Sequence, residues 1–280
     1  MILVVILLAA EHPRLQIPTN TQPGAPSRRV TDQLSVGEIM RRAVARATSQ
    51  DDAEVELQFE ALVAMAVESL DGDGEVTNTE TTLHRRYPLE GAVYEELVGR
   101  NGEQLSEPDS RKEETRREDF RRKARETEAN GEILETNDER QVRFGEALMA
   151  RYSADVLGEE VVRGERCWVI HFWPRDGKLP QNTRIDKALN QSRGELYVSQ
   201  EDYGVMQIDF RLLRPVRSLW GLFASLSQAT GRLEFGRIEP DVWLPSAFDL
   251  RVDIRVLFRT QRRHIIREWV ERHRIPTVSE

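Results

Sequence analysis

The residues able to do chemistry in this chain are scattered, and their spacing serves no familiar reaction. A nucleophilic hydrolase needs a serine or cysteine near a histidine base, with backbone donors for the oxyanion. No G-x-S-x-G occurs, and Ser225, within Leu222-Phe223-Ala224-Ser225, lacks the glycines that build a strained elbow. The single cysteine, Cys167, lies in an apolar run beside Trp168 and reads as a small buried hydrophobe. A lone thiol also excludes a disulfide framework. The five histidines, His12, His84, His171, His264 and His273, form no H-x-H or H-E-x-x-H spacing, so no metal is expected. Asp71, Asp73 and Glu75 begin like a calcium loop, yet Val76 and Thr82 stand where glycine and glutamate are needed. That segment reads as a hairpin turn. There is no phosphate loop or dinucleotide fingerprint, and among so many carboxylates no acid–base pair stands out. The expectation is a protein that is not an enzyme and carries no cofactor.

Composition narrows the class further. Of 280 residues, 39% are hydrophobic and 31% charged, enough for a real core under a heavily charged surface. The formal charge of −8 argues against a nucleic-acid binder and against adhesion to anionic membranes. The opening MILVVILLAA has the length of a secretory h-region and is too short for a transmembrane helix, although no basic residue precedes it. No cysteine follows that could be acylated. Residues 1–10 are therefore expected to be a signal h-region, which implies a periplasmic protein that is not integral to the membrane; the alternative is a buried apolar strand. Residues 11–34, holding Pro13, Pro18, Pro23 and Pro26, read as a flexible leader.

Positioning elements follow from periodicity. Ser35 and Glu38 form an S-x-x-E capping box, and Val36, Ile39, Met40, Ala43, Val44 and Ala47 then follow helical spacing. From 54 to 67 the odd positions Val55, Leu57, Phe59, Ala61, Val63, Met65 and Val67 are apolar, which predicts a strand with one dry face. Asp71-Gly72-Asp73-Gly74 turns the chain into a second strand, and a third ends at Asn101-Gly102. Ser106 caps a helix to about Asn130 that is nearly all Arg, Lys, Glu and Asp, expected as a solvated excursion held by charge pairs. A short helix over 139–150 precedes strands at 155–162, 165–173, 194–199, 205–213, 232–238, 248–258 and 261–270. Such close spacing demands antiparallel pairing. Met206, Ile208, Phe210 and Leu212 alternate with polar residues, as do Phe248, Leu250, Val252, Ile254 and Val256, so the sheet has one buried face.

Two further features stand out. Arg259, Arg262, Arg263, His264 and Arg267 form a basic stripe, read as the charged solvent face of an edge strand. The apolar run Leu219-Trp220-Gly221-Leu222-Phe223-Ala224-Ser225-Leu226 reads as core, or as a flap at the mouth of a cavity.

Three segments resemble bacterial envelope proteins of the LolA/LolB-like fold, the outer-membrane lipoprotein-sorting type. They are LVGRNGEQLSEPDSRKEE (97–114), GELYVSQEDYGVMQIDFRL (194–212) and VWLPSAFDLRVDI (242–254). The resemblance implies an α+β, mainly antiparallel protein: a curved half-barrel over 35–275, helices covering its concave face, and a charged helical insertion at about 106–130. It also implies an apolar cavity that shields a lipid or lipoprotein acyl chain without catalysis. Candidate lining residues are Phe59, Val63, Met206, Ile208, Phe210, Trp220, Phe223, Trp243, Leu250 and Ile254. The charged insertion departs from the best-known carriers. The alternative expectation is an envelope sensor or scaffold that binds a protein partner through the same sheet.

Overall fold

The structure is a computed structural model that describes residues 2–4, 34–130, 141–181, 185–217, 224–256 and 259–276. The signal-like run, apart from 2–4, and nearly all of the leader lie outside the described residues, as do Trp220 and Phe223. Helix α1 (Val36–Asp52) begins at Ser35, whose hydroxyl accepts the Glu38 N–H at 3.2 Å. The capping box is half realised, because the Glu38 carboxylate turns to Arg41 and Arg42 instead of reaching back. The buried stripe of α1 is Ile39, Ala43, Val44 and Ala47, as the spacing predicts.

Strands are numbered along the chain. The first six are β1 (Ile2–Val4), β2 (Phe59–Leu70), β3 (Val76–Leu89), β4 (Ala92–Arg100), β5 (Glu103–Gln104) and β6 (Gln141–Arg143). Then follow β7 (Tyr152–Val162), β8 (Glu165–Pro174), β9 (Ser192–Ser199), β10 (Val205–Leu212), β11 (Val216–Arg217), β12 (Ala224–Glu239), β13 (Val242–Val256) and β14 (Arg259–Arg274). All but β1 and β6, which pair with each other, join one open, curved antiparallel sheet in the order β5-β4-β3-β2-β14-β13-β12-β10-β9-β8-β7, with β11 beside β12. This is the α+β, mainly antiparallel architecture expected from the sequence.

The turns fall where the chemistry allows them. Asn101 and Gly102 (φ 52° and 78°) and Arg163 and Gly164 (φ 49° and 86°) make two-residue hairpins with both central residues left-handed. Three expectations need correction. The strand expected from residue 54 opens as a single 3-10 turn (Val55–Gln58), because Glu54 is left-handed at φ 48° and breaks the extended chain. The helix expected over 139–150 is β6 followed by one short helix, α3 (Glu146–Met149), with residues 139 and 140 outside the described set. Strands β12 and β13 start earlier than their alternation suggests, since bulges at Leu226/Gln228 and Glu234/Phe235 interrupt it.

The main core lies between α1 and one sheet face. Val67, Ile265 and Leu250 stand in one register row, and they cluster with Ile39, Ala43, Val44 and Ala47 of α1. The charged helix, α2 (Glu107–Ala129), lies on the other face. Its Phe120 ring sits 4.8 Å from that of Tyr94, which is 1% exposed and meets Tyr87 edge-on. Tyr87 pairs with Tyr94, one residue out of phase with Arg86, whose partner Ala61 shares the face of Val63 and Val67. So α2 is docked instead of being a free excursion. Arg117 reaches Glu96, Arg125 reaches Glu90, and the expected pairs along the helix, such as Lys112–Asp109 at 3.0 Å, complete its surface.

Candidate functional site

Most of the candidate lining residues described fall in the main core. Leu250 and Ile254 are 2% and 3% exposed and pack with Phe248, Leu233 and Ile265. Ile208 and Phe210 are half-buried against the same cluster. The Phe210 ring lies over Gly231, its partner on β12, where a Cβ would come within 2.4 Å of it. Trp243 likewise covers Gly204 and donates its indole N–H to Asp202 at 2.9 Å. Met206 is the extra residue of a bulge between Val205 and Gln207, so it leaves the alternation and seats its sulfur 2.9 Å from Cys167 Sγ. Val63 is fully buried, and Phe59 joins Val55 and Leu244 in a separate small cluster.

Polar contacts clasp α1 onto this face at the strand turns. Arg42 donates to the Tyr203 hydroxyl at 2.6 Å, and Arg46 pairs with Asp202 at 3.0 Å. The Gln50 amide both donates to the Trp243 carbonyl and accepts its N–H, each at 2.9 Å. Tyr203 stacks between Arg42 and Trp168. Alternation of apolar residues did not reveal the clasp, although the polar positions of α1 at 42, 46 and 50 carry its signal as a stripe of period four.

One end of the apolar face is not apolar. At β2–β4 and β14 it carries Arg86, Glu95, Arg267 and Arg272, with Glu56 from the 3-10 turn. Arg267 is 4% exposed, ion-paired with Glu95 and stacked on Trp269. His84 Nδ1 lies 3.7 Å from Glu95. Burial opposes charge on Glu95, yet Arg267 and His84 hold its carboxyl below the usual range. Burial pushes His84 below its ordinary value despite the pull of Glu95. Glu56, bonded to Arg86 at 2.8 Å, lines a pocket no larger than a water molecule or so together with Arg272, Phe59 and Leu244. Burial and the neighbouring Arg86 bring Arg272 down to about 10.

The opposite face is a charged ladder. Asp209 pairs with Arg232 at 2.7 Å, and His264 bridges Asp249 and Glu68 at 2.9 Å each. Burial alone would lower His264; its bonds to the two carboxylates outweigh that and raise it. The basic stripe is thereby corrected. Strand β14 is interior, between β13 and β2, and its charges serve both faces instead of an edge. Arg262 meets Asp253 at 3.3 Å and Arg263 meets Ser69 at 3.0 Å, while Arg267 turns to the apolar side.

Nothing in these arrangements assembles a nucleophile with a base. Burial pushes the Cys167 thiol up to about 11, and its neighbour is a thioether. Among the described residues no group of His, Cys, Asp or Glu could hold a metal, and no helix is long and apolar enough to cross a membrane.

No family model and no curated protein matches the chain. Solved structures do. A DUF1329 family protein from Desulfovibrio piger is 12% identical, over 86% of this chain and 95% of that one, with a TM-score of 0.29. A LolA superfamily protein from Nitrosomonas europaea is 10% identical over 88% and 96%, with a TM-score of 0.29. The Pseudomonas aeruginosa MucA/MucB complex matches at 11% over 86% and 100%, with a TM-score of 0.23. One of the three carries the LolA superfamily name that the sequence resembles. At such identities and scores they carry nothing further about function.

Proposed function

We propose that the protein is a non-enzymatic, periplasmic carrier-like protein that holds a lipid or a lipoprotein's acyl chain on the apolar sheet face, with α1 as a displaceable cover. The observation that supports this reading is the thinness of that cover. Of the four residues α1 buries, two are alanines. Burying the stripe contributes on the order of 8 kcal/mol, from one Ile, one Val, two methyl side chains and the half-buried Val36 and Met40. An acyl chain of roughly 16 carbons on the same face contributes about 12 kcal/mol, at about 0.8 per methylene. Ligand exchange for cover is therefore favourable once the clasp of Arg42, Arg46 and Gln50 opens, and release needs only a competing acceptor.

The test is lipid mass spectrometry of the full chain purified from an envelope extract, with uptake of a fluorescent acyl probe measured in parallel. Co-purified lipid and saturable probe uptake are expected. Absence of both overturns the proposal.

A further inference from the structure

The two ends of the sheet are treated differently. One end finishes in the two-residue β5 and carries α2 docked on the neighbouring strands. The other finishes in β7, eleven residues long, and among the described residues nothing pairs with its outer edge. A long bare edge is a template for another strand.

The ladder phase identifies which backbone groups that edge offers. The Arg175 N–H donates to the Arg151 carbonyl at 3.0 Å, so the bonded pairs with β8 fall at odd positions up to Asp155. Tyr152, Ala154 and Val156 then turn both N–H and C=O outward. The two-residue turn at Arg163-Gly164 makes Val162 and Glu165 a bonded pair, which leaves Glu159 and Val161 facing outward beyond the bulge at Leu157. The side chains there are exposed and apolar: Val156 at 36%, Leu157 at 58% and Val161 at 69%.

Charge selects the occupant. The strand carries Asp155, Glu159 and Glu160 and no Lys or Arg. A second copy paired antiparallel about the strand centre would set Asp155 against Glu160 of its twin, which is repulsive. Register places Val156, Glu159 and Val161 on the face of Ile170, where Glu159 is already paired with Arg166 at 2.7 Å, and Asp155 and Glu160 on the face of His171 and Cys167. We propose that the outer edge of β7 adds an extended, basic segment of a partner protein as a further strand. That segment is apolar on the side of Val156 and Val161, and carries Lys or Arg on the side of Asp155 and Glu160. This docking does not depend on whether the apolar face holds lipid.

The experiment follows amide hydrogen exchange in the full chain, with an end-blocked Lys-Val-Lys-Val-Lys-Val-Lys-Val-Lys peptide as probe. Exchange at Ala154, Val156 and Val161 should slow by about tenfold or more at saturation. Val156→Pro removes only an outward N–H, a position where edge strands accept proline, and should abolish the protection at an unchanged unfolding temperature. A double Asp155→Lys, Glu160→Lys variant should prefer the Glu-for-Lys peptide and keeps the proposal testable if the proline variant fails to fold. Equal protection by the Glu-for-Lys peptide, or by one N-methylated at alternate amides, overturns it. So does an edge already protected without peptide, which would mean that a second copy or another segment of this chain occupies it.

Discussion

Replacing Arg267 by methionine removes one partner of a buried ion pair while keeping the length of the side chain. The Arg267 side chain is 5% exposed and that of Glu95 27%, so the surviving carboxylate is left largely out of water. Breaking such a pair costs about 3–5 kcal/mol. At about 2–4 °C per kcal/mol, the unfolding midpoint should fall by roughly 6–20 °C. The pH dependence is the sharper readout. In the native protein His84 sits below its ordinary 6.5, chiefly through burial and against the pull of Glu95. Its contribution is present above pH 6.5 and is lost as pH falls below that value. In Arg267→Met one of the cations that holds His84 down is gone while Glu95 stays 3.7 Å away, so the depression shrinks, with burial and Arg116 still acting against the charged form. Less of the variant's stability is then lost as pH falls below 6.5 than in the native protein. Denaturant titrations at about pH 5.5 and about pH 8 should show a smaller penalty at the lower pH. Adding Glu95→Gln should recover about 2 kcal/mol and restore the steeper loss toward low pH, since Glu95 is the group that pulls His84 up. A penalty below about 1 kcal/mol, or one that grows toward low pH, would refute the reasoning.

Two further outcomes follow from packing. Gly194→Ala would put a methyl 1.8 Å from the Asp209 carbonyl oxygen, so thermal melts should show a loss of about 2–4 kcal/mol, whereas Gly72→Ala, with open space around it, should lie within about 0.5 kcal/mol of wild type. Cys167, fully buried with its thiol pushed up to about 11, should resist a thiol reagent in the native protein and react at once in denaturant; prompt native labelling would contradict its placement.

Much of the fold was legible because its signals are local. The φ-tolerant pair Asn101-Gly102 marked a hairpin, Ser35 and Ser106 marked helix starts, and alternation along β10 and β13 marked a one-sided sheet. What failed to read failed for a physical reason. Bulges add one residue and invert the alternation, which hid the true starts of β12 and β13 and displaced Met206 from the row of Ile208. Charge runs state polarity without stating partners, so α2 looked solvated when Phe120, Arg117 and Arg125 dock it on β4 and its turn.

Spacing and residue type by themselves determined an antiparallel sheet with one dry face, a helix to lie on it, and the absence of a familiar catalytic spacing. Each rests on neighbours within a few positions, where backbone geometry dictates side-chain direction. Tertiary structure alone decided which strand lies at the edge. Strand β14 looked like an exposed rim, yet it pairs β13 with β2 across the middle of the sheet, and among the described residues the unpaired long rim is β7. Strand order depends on contacts between residues up to about two hundred positions apart, such as His264 with Glu68, and no periodicity along the chain encodes those. The clasp of α1 at Trp243 and the buried pairing of Arg267 with Glu95 belong to the same class, because each exists only after distant strands have come together.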